Sequence, residues 1–287
     1  MGRVVYCANE FVPEEKARIG LFDRGFLFGD AAYEVTAVLG GRMIDNDLHL
    51  ARFARSLTEL SIPLPMPLDR IVEIQRELIA RNNLMEGAVY LQVSRGEADR
   101  EFLYAADLTP TFVAFTQAKA LRDTKAQRNG VAVDIAPDPR WARRDIKTAM
   151  LLGQVMAKRE ARARGFDDVW FVENGTVTEG ASSTAFIIPD DRRIVTRANS
   201  HATLPGCTRR ALMRLCEAQG LVVEERSFSL AEAQSAVEAF QTSASSFVTP
   251  VVRIGETLLG GGEPGPLTRK LQAYYLDAAG IREAMTL

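Results

Sequence analysis

The sequence predicts an α+β protein of two domains, on three observations. At 287 residues the chain is at the upper limit of what one hydrophobic core serves. Its first part groups several strand-like runs around two amphipathic helices. Residues 117–130 then lose apolar periodicity and collect charge, which marks a connection between domains.

Residues 4–11 read as a strand, and runs at 33–39 and 42–44 flank Gly40-Gly41, a hairpin signal. Asn46 is placed to cap a helix whose Leu48, Phe53, Leu57 and Leu60 share one face and which Pro63 and Pro65 stop. A second helix over 68–81 carries Ile71, Ile74, Leu78 and Ile79, and β-rich runs follow at 88–94 and 111–116. These make a small N-terminal domain over 1–117, joined through 118–130 to a larger domain over 131–287. In that domain a strand at 131–135 precedes a long helix at 148–164 ended by Gly165. A hairpin over 169–173 and 176–178 turns at Asn174-Gly175, and 185–188 is a further strand. A helix over 207–219 ends at Gly220. Strands at 221–225, 239–242 and 247–253 follow, then a closing helix at 266–279 with proline at its first position. No internal repeat or low-complexity segment is present.

Composition excludes several classes. A net charge of −2, from 35 basic and 37 acidic groups, supplies no electrostatic reason for nucleic acid or an anionic membrane as partner. No apolar run approaches the length of a membrane span, and the N-terminus has no secretory core, with Tyr6 where a myristoylation motif wants Ser or Thr. Cys7, Cys207 and Cys216 share no metal-ligand spacing and suit a reducing compartment, so a cytoplasmic location is expected. With His49 and His201 as the only histidines, no metal site is expected. No Gly-x-Gly-x-x-Gly follows a strand, which argues against a nucleotide-binding fold.

Lysine is scarce: Lys16, Lys119, Lys125, Lys147, Lys158 and Lys270 are the only six. Arginine stays protonated in proteins, so only lysine can serve as an amine nucleophile. Lys147 alone stands directly before an apolar run, Ala149-Met150-Leu151-Leu152, where Asp145-Ile146-Lys147-Thr148 reads as the opening of the 148–164 helix. Glu179, in Glu179-Gly180-Ala181-Ser182-Ser183, follows 32 residues later, past the Asn174-Gly175 turn. An amine and a displayed acid suit pyridoxal phosphate, the amine holding the cofactor and the acid its pyridine nitrogen. The same lysine also describes an ordinary helix start.

A phosphate needs a cradle. Leu204-Pro205-Gly206-Cys207-Thr208-Arg209 offers a glycine, a helix start and a hydroxyl, although many ordinary helices begin this way. Gln241-Thr242-Ser243-Ala244-Ser245-Ser246 is a second candidate, equally describable as a polar turn. Arg52, after His49-Leu50-Ala51, is a third element, and alone could be an ordinary surface arginine.

In order and spacing these segments resemble the class IV (fold type IV) pyridoxal phosphate-dependent aminotransferases, over nearly the whole chain, from Arg24-Gly25-Phe26-Leu27-Phe28-Gly29-Asp30 to Val248-Thr249-Pro250-Val251. The resemblance implies a barrel-like core in the second, cofactor-binding domain. It matches Lys147 to the Schiff-base lysine, Glu179 to the acid facing the pyridine nitrogen and Arg52 to the phosphate-binding arginine. Cys207 and Thr208 match one phosphate loop and Ser243 and Ala244 the other, where the family often has Thr in place of Ala244. Gly29-Asp30-Ala31-Ala32-Tyr33-Glu34-Val35 and Tyr90-Leu91-Gln92-Val93-Ser94-Arg95-Gly96 are most similar to D-amino acid aminotransferases. There a tyrosine and an Arg-x-His pair trap the substrate carboxylate. Here Tyr33 and Arg100 are kept and Phe102 replaces the histidine.

The resemblance thus implies ping-pong transfer of an amino group from a D-amino acid to a 2-keto acid such as pyruvate or 2-oxoglutarate. It also implies a homodimer in which Arg100 serves the neighbouring subunit. R-selective amine transaminases, aminodeoxychorismate lyases and a binding protein without turnover are the alternatives.

Overall fold

The computed structural model describes residues 2–190 and 192–280, so the outer ends of both expected domains lie outside the described residues. The chain divides into two compact units: residues up to Leu121 with Ile146–Leu151, and Arg122–Asp145 with the chain from Leu152 on.

In the first unit β1 (Val4–Cys7) and β2 (Glu10–Pro13) form a hairpin where a single strand was expected. Ala8 and Asn9 take φ of 52° and 62°, the left-handed pair that a two-residue hairpin turn requires. A short helix α1 (Arg24–Phe28) follows, capped by the Asp23 carboxylate, which accepts from Gly25 and Phe26 N–H. Next come β3 (Ala31–Leu39), β4 (Arg42–Met43), α2 (Asn46–Glu59), α3 (Leu68–Arg81), β5 (Glu86–Ser94) and β6 (Thr111–Ala118). Asn46 is not the cap of α2: Asp45 precedes the helix, and the Asn46 amide instead bonds Thr36 and Gln75.

The six strands lie in the order β2-β1-β6-β5-β3-β4, every pair antiparallel. Alternation sorts their side chains. Ala32, Val38, Val89, Leu91, Val93, Phe112 and Ala114 pack with Phe53, Leu57, Ile71, Ile74 and Leu78 of α2 and α3. The other face carries Tyr33, Tyr90 and Phe115 as a stack, with ring centroids 5.5 and 4.7 Å apart.

On the helix-facing side Glu34 is fully buried and takes bonds from Arg52 Nε (2.7 Å) and Nη2 (2.9 Å), with His49 Nδ1 at 2.8 Å. Burial pushes its carboxyl up, but the Arg52 charge and the His49 and Arg52 hydrogen bonds outweigh it and bring the pKa down to about 2.

Segment 146–151 packs with this unit although the sequence placed it with the residues after 131. The expected helix begins only at Leu152, because 147–149 is drawn out as an extra edge beside β3. Tyr33 N–H donates to Lys147 O and Ala149 N–H to Ala31 O, both at 3.0 Å, around an Ala32–Thr148 antiparallel bridge.

The second unit opens with α4 (Lys125–Asn129), fixed by a Thr124–Gln127 capping box. Then follow β7 (Val131–Pro137), α5 (Leu152–Ala163), β8 (Asp168–Glu173), β9 (Thr176–Gly180), β10 (Thr184–Ile188), β11 (Arg193–Thr196), α6 (Cys207–Ala218) and β12 (Val222–Glu225). The last elements are α7 (Leu230–Ser235), β13 (Glu238–Ser243), β14 (Phe247–Ile254), β15 (Thr257–Leu258) and α8 (Pro266–Ala278). The sheet runs β12-β11-β10-β13-β14-β7-β8-β9, with β15 attached to β14. Its β11/β12, β14/β7 and β7/β8 pairs are parallel.

The sheet is curled into the barrel-like core that the resemblance implies. Trp170 on β8 donates its Nε1–H to Gln241 Oε1 on β13 at 3.0 Å, although two strands separate them in the sheet. Gln241 also bonds Asp168 and Ser183, and at the edge of the sheet Gly180 N–H reaches Ser183 O at 2.8 Å, tying the end of β9 to the start of β10. Inside the curl lie Val133, Trp170, Val177, Ala185, Ile187, Ala239 and Val251.

The Glu34 pairing generates the first prediction. Its folded pKa lies below the 4.5 of a free carboxyl, so its contribution is complete above pH 4.5 and lost as pH falls toward 2. The shift corresponds to stability on the order of 3 kcal/mol. In protein freed of small molecules, Glu34→Gln is expected to lower the unfolding free energy in urea by about 3 to 5 kcal/mol at pH 7, because it strands the buried Arg52 guanidinium. The deficit should shrink as pH falls below 4.5; parallel pH profiles for both proteins would contradict it.

Candidate active site

In the first unit the strand pairing that holds residues 147–149 places Lys147 over Tyr33. Its Nζ lies 3.3 Å from the Tyr33 phenolic oxygen and 4.3 Å from the ring centroid. Lys147 N–H meets Ser56 Oγ at 3.3 Å, and Ser56 lies one helical turn beyond Arg52 on α2. Tyr33 is backed by Tyr90, whose phenol donates to Gln92 at 2.7 Å; burial and the neighbouring Tyr33 push the Tyr90 pKa up, so it stays protonated. Lys147 is therefore not on a helix. The first turn of α5 begins five residues later, and the aromatic stack of β3, β5 and β6 lies against the amine instead.

Arg100 is exposed, with its guanidinium 5.6 Å from the Phe28 ring centroid. Phe102 meets the same ring at 5.9 Å and is 81% exposed.

In the second unit Glu179 ends β9 and is buried. Arg140 Nη1 donates to its Oε1 at 2.5 Å, and the Leu204 N–H lies 3.2 and 3.1 Å from its two oxygens. Gly180 beside it lets Ser183 approach, since a Cβ there would stand 2.1 Å from Ser183 Oγ. Two residues beyond Leu204, Gly206 starts α6. A Cβ at Gly206 would lie 2.8 Å from Thr184 Oγ1, so glycine lets the helix start abut β10. Thr184 pairs with Thr242 on β13, the strand that turns at Ser243. The Leu204 amide thus meets Glu179, while the start of α6 meets β10 at Thr184, opposite Thr242 of β13. Ala244 sits in the turn, where Ser243 and Ser246 hydroxyls bond each other at 2.7 Å.

The donor set fits the phosphate of the cofactor. No side chain caps α6, so its first-turn N–H groups at Cys207 and Thr208 present the positive end of the helix to an anion. Thr242 Oγ1 and Thr203 Oγ1 are buried with no hydrogen-bond partner among the described residues.

Sequence reasoning missed Arg140, Asp138 and Thr242. Thr242 stood inside a quoted motif, and its strand alternation was the available signal. Nothing in Asp138-Pro139-Arg140 separates that arginine from the other arginines of the chain. Among the described residues no cluster of His, Cys, Asp and Glu could hold a metal ion.

The profile of the family described as amino-transferase class IV matches residues 31–254. A D-alanine aminotransferase of Bacillus licheniformis is 37% identical over 279 residues, covering 97% of this chain and 98% of that protein. One from Staphylococcus haemolyticus is 33% identical over 272 residues, covering 94% and 96%. Among solved structures, the branched-chain amino acid aminotransferase of Escherichia coli has a TM-score of 0.90 at 20% identity, over 100% of this chain and 98% of that one. A T.th. branched-chain amino acid aminotransferase complexed with N-(5'-phosphopyridoxyl)-L-glutamate has a TM-score of 0.86 at 22% identity, over 98% and 96%. These two structures share the fold. The match over most of the sequence carries the family: the chain belongs to the class IV aminotransferases and is a pyridoxal phosphate-dependent transaminase.

Proposed function

We propose that the protein moves the amino group of a D-amino acid to a 2-keto acid. The observation that carries this reading is the contact of Lys147 Nζ with the Tyr33 phenol, a proton-transferring amine beside a carboxylate-binding hydroxyl. Relatives named D-alanine aminotransferase, 37% and 33% identical over nearly the whole chain, support the D-donor.

Pyridoxal phosphate supplies an electron sink that acidifies the Cα of a bound amino acid. The chain supplies the rest. Lys147 Nζ is the point of attachment, and it takes the Cα proton and returns it. Glu179 would hold the pyridine nitrogen. Arg52, Cys207, Thr208, Ser243 and Ala244 would hold the phosphate. Tyr33 orients the substrate carboxylate, and the two substrates use the site in turn.

An exposed apolar face on the first unit supports a homodimer. Leu21, Phe22, Phe26, Phe102 and Leu103 are each about half exposed or more. Their segments are tied together by an Asp23–Glu97 bridge and an Arg24 bond to Glu101 O at 2.7 Å. Such a face calls for cover, and a second copy brings Arg100 to its neighbour's substrate. The protein acts in the cytoplasm, in keeping with three free cysteines; among the described residues no helix is long and apolar enough to cross a membrane. Phe102, which donates no hydrogen bond, favours an R-selective amine transaminase as second reading, because an amine donor carries no carboxylate to trap.

D-Alanine is expected to bleach the visible band of the bound cofactor and L-alanine to leave it; bleaching by a chiral R-amine alone would transfer the assignment to the second reading. Lys147→Ala should lower turnover by about 10³-fold or more, in the range of general acid–base losses, and retained catalysis would refute its role. Sedimentation equilibrium should give a dimer that Phe102→Asp or Leu103→Asp weakens, and a monomer would remove Arg100 from the substrate site.

A further inference from the structure

Glu179 is embedded in a buried ionic chain that the transaminase reading does not use. Arg140 forks onto Asp138, with Nε to Oδ1 at 2.9 Å and Nη2 to Oδ2 at 2.7 Å, and turns its remaining Nη1 to Glu179 Oε1. Asp138 is fixed in turn. It accepts from Thr178 Oγ1 at 2.8 Å and from the Arg140 N–H at 3.1 Å, and Arg144 Nε stands 3.4 Å away. Arg144 is itself paired with Glu173 at 2.8 Å. The side chains of Asp138, Arg140 and Glu179 are 0, 8 and 4% exposed, and the Arg140 guanidinium lies 5.0 Å from the Phe171 ring centroid.

We propose that Arg140, clamped by Asp138, is a positioning residue for Glu179: it fixes Oε1 and holds the group as a carboxylate, leaving Oε2 with acceptor capacity for a ligand N–H. This rests on the reading of Glu179 as the acid at the cofactor's pyridine nitrogen. The geometry is asymmetric in the way that role needs. Oε1 takes both Arg140 and the Leu204 amide, whereas Oε2 takes only the amide, at 3.1 Å. Charge matters as much as direction. Burial drives the Glu179 carboxyl above the ordinary carboxylate range, Arg140 and the Leu204 N–H oppose that, and the more distant Asp138 adds to it. A protonated Glu179 would offer a donor where an acceptor is required. Burial works against the Arg140 charge as well, but Asp138 and Glu179 more than offset it and keep the guanidinium protonated. Asp138 is held below its usual range despite burial, chiefly by the Arg140 hydrogen bonds and charge. A lysine could supply the charge but not the fork that spans two carboxylates.

The test is ¹³C NMR of the holoenzyme labelled at glutamate Cδ, with the Glu179 signal identified as the one missing from Glu179→Gln. At pH 7 the wild-type signal is expected at the carboxylate position, and a protonated Glu179 there overturns the proposal whatever the variants do. In Arg140→Gln, which keeps hydrogen bonding but removes the charge, the titration midpoint should rise by about 1 to 3 pH units, the span attributed to an adjacent arginine. Arg140→Lys should return it most of the way. An unchanged midpoint in Arg140→Gln reduces Arg140 to a packing role and refutes the inference. The reading of Glu179 is tested separately by the ¹⁵N shift of the cofactor's pyridine nitrogen. If Glu179→Gln leaves the protonated-pyridine signal in place, that reading falls while the Arg140 result stands.

Discussion

A carboxylate taken out of water must find a cation or give up its charge, and that constraint organises both units of this protein. Glu34 and Glu179 are both buried, and each is held by a guanidinium. In the first unit Arg52 meets Glu34 edge-on through two nitrogens while His49 takes the remaining side. In the second, Arg140 divides its donors between Asp138 and Glu179. The outcomes differ because the balances differ. Glu34 has an arginine to itself with His49 beside it and ends well below the ordinary range, whereas Glu179 shares one arginine with another acid and ends above it. The fully compensated acid is a structural anchor, and the partly compensated one keeps capacity for a further partner.

Backbone pairing, not helix geometry, positions the amine. Two hydrogen bonds at 3.0 Å draw residues 147–149 along the edge of β3, so the side chain of Lys147 comes to lie against Tyr33 instead of projecting from the first turn of α5. A strand-edge residue is held by the sheet it joins, while first-turn residues of a helix have unpaired N–H groups and fray. The stack of Tyr33, Tyr90 and Phe115 then sets the phenol that the amine touches.

Regular elements with strong periodicity were legible in the sequence. Residues 68–81 and the Gly40-Gly41 hairpin were found with their observed limits or nearly so, because apolar spacing and turn chemistry act locally. The start of α5 was misplaced for a non-local reason: Ala149-Met150-Leu151-Leu152 is helix-compatible, and only pairing with residues more than a hundred positions away in the sequence draws its first part out. The strand over 4–11 was split by left-handed Ala8 and Asn9, of which alanine carries no turn signal. For the candidate site, segments with a glycine or hydroxyl signature, such as Gly206-Cys207-Thr208, gave the sequence something local to propose. Arg140 could not, since its role depends on Asp138 and Glu179 meeting across the curled sheet.

The chain's uneven use of basic residues makes sense in the same terms. Arg24, Arg52, Arg95, Arg144 and Arg209 are all buried, as is the side chain of Arg140, and each is engaged with a carboxylate. No lysine is among the buried residues described. A permanently charged planar fork is the better group for satisfying buried acids, since it meets two oxygens at once and cannot lose its proton. Lysine is the better group where a proton must leave, and a lysine placed among buried carboxylates would be held charged by them. Lys147 instead sits against the ring and hydroxyl of Tyr33. Arginine is thus the group that most often meets the buried acids, while Lys147 faces a phenol in place of a carboxylate.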